Sequence, residues 1–205
     1  MLTPMALRRV LCAVALLTTV ACGGSTPSTP TPEVPYVGPS VVRGAVLEFT
    51  TSTPRGNGVL EFSSDTGAGV VSTTANASGA YTVTVPAVGG YTVRLNDIYI
   101  GTLQVTGATF RGDFLVDSGT CVARYGVLTD ARTGRTVSGA AVGLPQASTT
   151  SAADGSYRID LGCEPSLSFS TTFIQVTHPA YQTRQQVVGR GVHNVVRLDL
   201  VLEPN

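Results

Sequence analysis

The chain has 205 residues, with 13 basic residues, all of them arginine, against 13 acidic residues and a formal net charge of zero. That balance builds no basic footprint for nucleic acid, and the absence of lysine removes P-loop and Schiff-base chemistry. Valine, threonine, glycine and serine dominate, a composition that favours strands and turns over helices.

At the N-terminus, Arg8 and Arg9 precede an apolar run from Val10 to Val20 and then Ala21. A basic patch, a short greasy segment and a small residue describe a secretory signal, too short to cross a bilayer as a helix. Thr19-Val20-Ala21-Cys22 resembles the lipobox of bacterial lipoproteins, with threonine where that family more often has leucine. An ordinary secretory signal with a coincidental cysteine is the plainer alternative. The resemblance implies loss of residues 1–21, diacylglycerol on the Cys22 thiol, and a membrane as partner through that lipid. Buried acyl chains contribute roughly 0.8 kcal/mol per methylene, so two or more hold a protein at a membrane without spanning it. It also implies a cell-envelope location, the outer membrane of a Gram-negative cell in particular, since Gly23 stands where aspartate typifies inner-membrane retention. Loss of Arg8 and Arg9 would leave 11 arginines against 13 acidic residues, a mature net charge near −2.

Residues 22–40 form a tether: Pro27, Pro30, Pro32, Pro35 and Pro39 lie among serine and threonine. Such a stretch favours extended polyproline conformations and cannot pack a core. At about 3.1 Å per residue its proline-rich part, residues 25–40, reaches ~50 Å. Beyond it, no stretch has the length of a transmembrane helix. Alternation and β-branched runs predict strands over 41–49, 58–62, 69–74, 80–85, 90–95 and 109–116. Asn57-Gly58 is a strong turn signal, and Ser78-Gly79 and Gly89-Gly90 are weaker ones. In Tyr81-Thr82-Val83-Thr84-Val85 the tyrosine and valines share one face and the threonines the other, as in a half-buried antiparallel strand.

A second round of strands is predicted over 121–129, 140–144, 156–161, 167–176, 182–188 and 194–202. The halves echo one another. Ala77-Ser78-Gly79-Ala80-Tyr81-Thr82-Val83 aligns with Ala153-Asp154-Gly155-Ser156-Tyr157-Arg158-Ile159, and Arg111-Gly112-Asp113-Phe114-Leu115-Val116 aligns with Arg197-Leu198-Asp199-Leu200-Val201-Leu202. The expected architecture is all-β: two tandem Ig-like antiparallel β-sandwiches over 41–117 and 118–205, joined near Asp117–Thr120. Asp154-Gly155 predicts a tight hairpin, since both residues tolerate positive φ. Ala140 and Val142 are expected to point inward, as are Tyr157 and Ile159.

Tyr125-Gly126-Val127-Leu128-Thr129-Asp130, then Thr133-Gly134 and Ser138-Gly139-Ala140-Ala141-Val142, resemble the opening of carboxypeptidase regulatory-like domains. Thr150 to Ile159 and His178-Pro179-Ala180-Tyr181 resemble that family's later segments, so the likeness covers most of 121–202. The first half resembles it more loosely, through Val42-Arg43-Gly44-Ala45-Val46 and Ser78-Gly79-Ala80-Tyr81. The resemblance implies a seven-stranded transthyretin-like sandwich without catalytic residues of its own.

With Cys12 lost in the signal and Cys22 carrying lipid, Cys121 and Cys163 remain. In an exported protein they most simply form one disulfide, worth about 4 kcal/mol on the chain-entropy model. A metal site is the weaker alternative, because neither has a partner at ligand spacing. No zincin motif, nucleophile elbow or redox Cys-x-x-Cys is present, and no calcium-loop spacing joins Asp130, Asp154 and Asp160. His178 and His193 read as loop histidines, and Arg111-Gly112-Asp113 reads as strand rather than as an integrin-type tripeptide. Tyr81 and Tyr157 alternate with apolar neighbours and read as core, and Tyr36, Tyr91, Tyr99 and Tyr181 are candidate ligand contacts. The sequence thus predicts no catalytic residues, metal or cofactor. It describes a non-enzymatic, lipid-anchored envelope protein, a structural spacer or protein-interaction module whose partner is an unknown envelope protein or a glycan. The alternative is a carbohydrate-binding surface lipoprotein that uses Tyr91, Tyr99 and Tyr181.

Overall fold

The computed structural model describes residues 36–117, 121–163, 172–188 and 195–205, so Cys22, His193 and the proline-rich segment before Tyr36, expected to be a tether, lie outside the described residues. The described regular elements are all strands, and they come in two sets of eight. The first comprises β1 (Ser40–Glu48), β2 (Val59–Ser64), β3 (Val70–Thr74), β4 (Ala80–Val85), β5 (Gly89–Leu95), β6 (Ile98–Val105), β7 (Thr109–Arg111) and β8 (Phe114–Val116). The second comprises β9 (Val122–Asp130), β10 (Ala141–Leu144), β11 (Ala147–Thr150), β12 (Ser156–Gly162), β13 (Thr172–His178), β14 (Tyr181–Val188), β15 (Val195–Leu198) and β16 (Leu200–Leu202). The topology repeats strand for strand. Sheet β4-β1-β7 with β8 corresponds to β12-β9-β15 with β16, and β3-β2-β5-β6 corresponds to β11-β10-β13-β14.

Most predicted strands are present, and four differences have physical causes. The expected strand over 109–116 breaks at Gly112-Asp113, and that over 194–202 breaks at Asp199, because each aspartate leaves the ladder to bind a neighbouring backbone. Strand β6 was not expected; it follows Asn96-Asp97, both left-handed (φ 48° and 66°), which make the two-residue turn that pairs Leu95 with Ile98. Strand β11 is a short edge of small and polar residues. The turn at Asp154-Gly155 is not a hairpin within one sheet, since β11 and β12 belong to different sheets. Only Gly155 there has positive φ, and the Asp154 carboxylate accepts from the Ser156 N–H at 3.0 Å. The predicted Asn57-Gly58 turn lies in the loop before β2, with Asn57 taking the positive φ.

Each repeat carries the same lock. Gly44 on β1 faces Tyr81 on β4, and Gly126 on β9 faces Tyr157 on β12. The broken last strand runs directly over each glycine: an added Cβ would come 2.0 Å from the Gly112 carbonyl oxygen in one repeat and 2.0 Å from that of Leu198 in the other. The same two carbonyls accept the tyrosine hydroxyls, Tyr81 to Gly112 and Tyr157 to Leu198. The aspartate after each carbonyl accepts from the first strand, Asp113 Oδ1 from the Ala45 N–H at 2.9 Å and Asp199 Oδ1 from the Val127 N–H at 3.0 Å. Burial pushes both phenols above the ordinary tyrosine range, so each stays a neutral donor.

The repeats share one eight-stranded sheet, β12-β9-β15-β6-β5-β2-β3 with β16 beside β9. The join is the parallel pairing of β15 with β6, Arg197 opposite Gly101 and Leu198 opposite Thr102. Gly101 has φ 149°, and an added Cβ would lie 2.3 Å from the Arg197 carbonyl oxygen, so only glycine permits this approach. Alternation along these strands feeds cores on both sides of the sheet. Ile100 and Leu103 join the first core, around Val42, Phe62, Tyr81 and Phe114. Tyr99, Val196 and Leu198 join the second, around Leu128, Tyr157 and Ile174. Between them Cys121, Ala123, Tyr125 and Val195 meet Phe49 and Leu115. Ala140, Val142, Tyr157 and Ile159 are buried as expected.

At the join lies a buried ion pair. Arg197 Nε and Nη2 donate to the two Asp199 carboxylate oxygens at 3.1 and 3.2 Å, with side-chain exposures of 8% and 1%. Asp199 Oδ2 also accepts from the Gln104 N–H of β6 at 3.2 Å, and Arg197 Nη1 donates to the Asp113 carbonyl at 2.8 Å. The counterpart Arg111–Asp113 pair is surface chemistry, at 82% and 33% exposure. The expected disulfide is present, joining Cys121 before β9 to Cys163 after β12 beside this junction.

Two expectations follow for denaturant unfolding. Asp199→Ala strands a buried guanidinium and should cost about 3–5 kcal/mol. Arg197→Met/Asp199→Leu removes both charges and should recover only part of it, because the Val127 and Gln104 N–H groups and the Asp113 carbonyl lose their partners. Asp113→Ala, whose arginine partner is exposed and which also loses the Ala45 N–H bond, should cost only about 1 kcal/mol. Replacing both Cys121 and Cys163 by serine should lower stability by about 4 kcal/mol, the loop-closure cost of their separation.

Candidate functional site

The four candidate tyrosines do not make a site. Tyr91, expected as an exposed contact, is instead buried at 1% exposure, because it shares the inward face of β5 with Val93; its hydroxyl donates to the Ala87 carbonyl at 2.7 Å. Tyr99 is half-buried on β6 and packs against the second core, where burial pushes its hydroxyl upward while Arg124 opposes the shift. Tyr181 is half-buried at the β13–β14 turn; its hydroxyl donates to Asp130 Oδ2 at 2.9 Å, and its ring meets His178 edge-on at 5.1 Å. Tyr36 is exposed, with its hydroxyl on the Pro39 carbonyl. Among the described residues, ring contacts join Phe62 to Tyr81, Tyr81 to Phe114 and His178 to Tyr181, none of them linking two candidates.

Tyr181 and Asp130 come from the two ends of the family-like pattern, and the structure brings them together. Asp130 Oδ1 accepts from the Arg132 and Thr133 backbone N–H groups and from the Thr133 hydroxyl, which shapes the loop after β9. Burial pushes the Asp130 pKa up, but the Thr133 N–H, the Tyr181 hydroxyl and the remaining donors outweigh it and hold the carboxyl below its ordinary value. These are structural assignments. Asp113 is likewise turned inward to Ala45, so Arg111-Gly112-Asp113, which ends β7 and makes the break before β8, is structural. Among the described residues, no group of three His, Cys, Asp or Glu side chains could hold a metal ion.

One surface feature was not anticipated. On the outer face of sheet β11-β10-β13-β14 an open trough of about 310 Å³ runs between Phe173, Gln175 and Thr177 on β13 and Pro145 and Ser148 beyond β10. Ala141 and Gly143 form its floor. Phe173 is 45% exposed, and its cross-strand partner Val187 is 69% exposed. The sequence signal was there: Phe173 alternates out of phase with the buried Ile174 and Val176, so it had to face outward.

No family model and no curated protein matches this sequence. Among solved structures, the shaft pilin SpaA from Lactobacillus rhamnosus GG is 10% identical at TM-score 0.30, over 82% of this chain and 98% of that one. A Streptococcal ancillary pilin is 13% identical at TM-score 0.31, over 82% and 62%. A DUF3823 family protein from Parabacteroides merdae is 10% identical at TM-score 0.32, over 68% and 89%. The all-β sandwich class rests on the strands and sheets described above.

Tyr181→Phe should cost about 0.5–1 kcal/mol at pH 7, a hydrogen bond to a charged but partly exposed partner. Because the folded Asp130 pKa is depressed, its contribution is present above the unfolded carboxylate value of about 3.9 and disappears as pH falls through the folded value. The wild-type and variant unfolding curves should therefore converge in acid.

Proposed function

We propose that this chain is a lipid-anchored cell-envelope protein in which two fused sandwich repeats act as a non-enzymatic spacer or protein-interaction unit on a proline-rich tether. The observation that carries this reading is the junction. A shared sheet, a buried ion pair and a small apolar cluster join the repeats, where a loose linker would serve two independent binding modules. The buried polar groups of the described body support it as well. Arg197, Asp199, Tyr81 and Tyr157 are spent on backbone carbonyls, backbone amides and one another. The lipobox resemblance at Cys22 and the prolines between Pro27 and Pro39 supply the anchor and the stand-off.

Cells expressing the full chain and fed an alkyne-tagged palmitate should label it and retain it in the membrane fraction, and Cys22→Ser should abolish both. A Cys22→Ser protein that is still labelled, or still sediments with membranes, would refute the anchor. The interaction reading requires that the full-length protein hold an envelope partner through detergent extraction and that its deletion alter surface assembly. Failure of both leaves that reading unsupported.

A further inference from the structure

The repeated topology supplies an internal control for the outer face of each four-stranded set. On β2 and β5 the central outward pair is Glu61 opposite Arg94, with Thr92 two residues before Arg94 and opposite Thr102 on β6. The corresponding pair on β10 and β13 is Gly143 opposite Gln175, with Phe173 two residues before Gln175 and opposite Val187 on β14. The buried flanks agree: Glu61 lies between Leu60 and Phe62, and Gly143 between Val142 and Leu144. The first repeat fills the centre of this face with a charged cross-strand pair and threonines, with Val59 and Val70 exposed at its β2–β3 side. The second carries neither charge, has a glycine floor at that centre and holds an aromatic ring outward beside it.

The fold does not demand that change. Gly143 has no positive φ, and an added Cβ would meet nothing nearer than Ser148 Cβ at 3.8 Å, ordinary van der Waals contact. A glycine inside a central strand weakens the strand, and one with neither a positive φ nor a crowded Cβ position leaves a recess that another molecule can approach closely. An exposed Phe173–Val187 pair beside that floor is a second unfavourable choice for a bare surface.

From this we infer that the outer face of β10 and β13 is a binding site for a neutral carbohydrate, with Phe173 as the platform for the apolar face of a sugar ring and Gly143 as the floor that admits it. None of the described lining residues is charged, which disfavours ionic ligands and suits uncharged hydroxyls. Gln175, Ser148 and Thr177 supply neutral donors and acceptors at the trough wall. The volume, about 310 Å³, sits at the small end of ligand pockets, which run to about 1,000 Å³. The site stands independently of the lipid anchor and the spacer reading.

The test is calorimetric titration of the full mature chain in detergent micelles with maltohexaose, cellohexaose, laminarihexaose and mannohexaose, and with polygalacturonate as the acidic control. At least one neutral oligosaccharide should bind saturably. Gly143→Glu/Gln175→Arg and, separately, Phe173→Thr should weaken that binding at least about tenfold with the thermal midpoint retained. Both variants install residues that the same fold already carries in the first repeat, so folding is preserved. Absence of saturable binding by every neutral sugar, binding that survives both variants, or tighter binding of polygalacturonate would overturn the assignment.

Discussion

The Arg197–Asp199 pair is the constraint on which the two-repeat body depends. Two charges removed from water cost several kcal/mol each, and only complete satisfaction makes their burial tolerable. Asp199 meets that demand with the Arg197 fork and the amides of Val127 and Gln104, and Arg197 adds the Asp113 carbonyl. Those partners lie on β9 of the second repeat, on β6 of the first and at the break between β7 and β8. A shift of β15 along β6 would break the two bonds that cross between the repeats, from the Gln104 N–H to Asp199 and from Arg197 to the Asp113 carbonyl, so the pair favours the observed register of the join. The surrounding apolar cluster of Ala123, Tyr125, Val195, Phe49 and Leu115 adds the adhesion.

The two repeats show how one local device takes different values in different surroundings. The lock of glycine, tyrosine and aspartate is the same in each, and it explains why Gly44 and Gly126 recur in otherwise divergent sequence. In the first repeat the accompanying Arg111 lies in solvent. In the second, the equivalent Arg197 is buried because β6 of the first repeat offers an open edge, and Gly101 lets β15 come close enough to cover it. The join therefore protects an edge strand that would otherwise present unpaired backbone groups.

Much of this was legible in the sequence. Alternation placed Tyr81, Val83 and Val85 inward, the count of cysteines left one pairing, and the repeated Arg-x-Asp and Gly-x-Tyr segments marked the tandem organisation. Tyr91 also alternates with Val93, so its burial could have been read there. Other features were not readable locally. The alternation of apolar residues continues across Asp113 and Asp199, so nothing in it signals that each aspartate leaves the ladder for a residue far away in sequence. Strand β6 lies behind an Asn-Asp turn without glycine and carries Gly101 at its centre, which blurs its period. The trough depends on which strand neighbours which, since Gly143 and Phe173 meet only through the β10–β13 register.

The two described repeats are predicted to behave as one folded body. The join, with its shared sheet, separates that account from a pair of beads on a string, because coupling of this kind makes the repeats unfold together. Differential scanning calorimetry of the full chain with the Cys121–Cys163 disulfide intact is the most direct measurement. A single transition whose calorimetric enthalpy equals its van't Hoff enthalpy is the predicted result. Two resolved transitions, or a calorimetric enthalpy about twice the van't Hoff value, would show that the repeats melt independently and contradict the account.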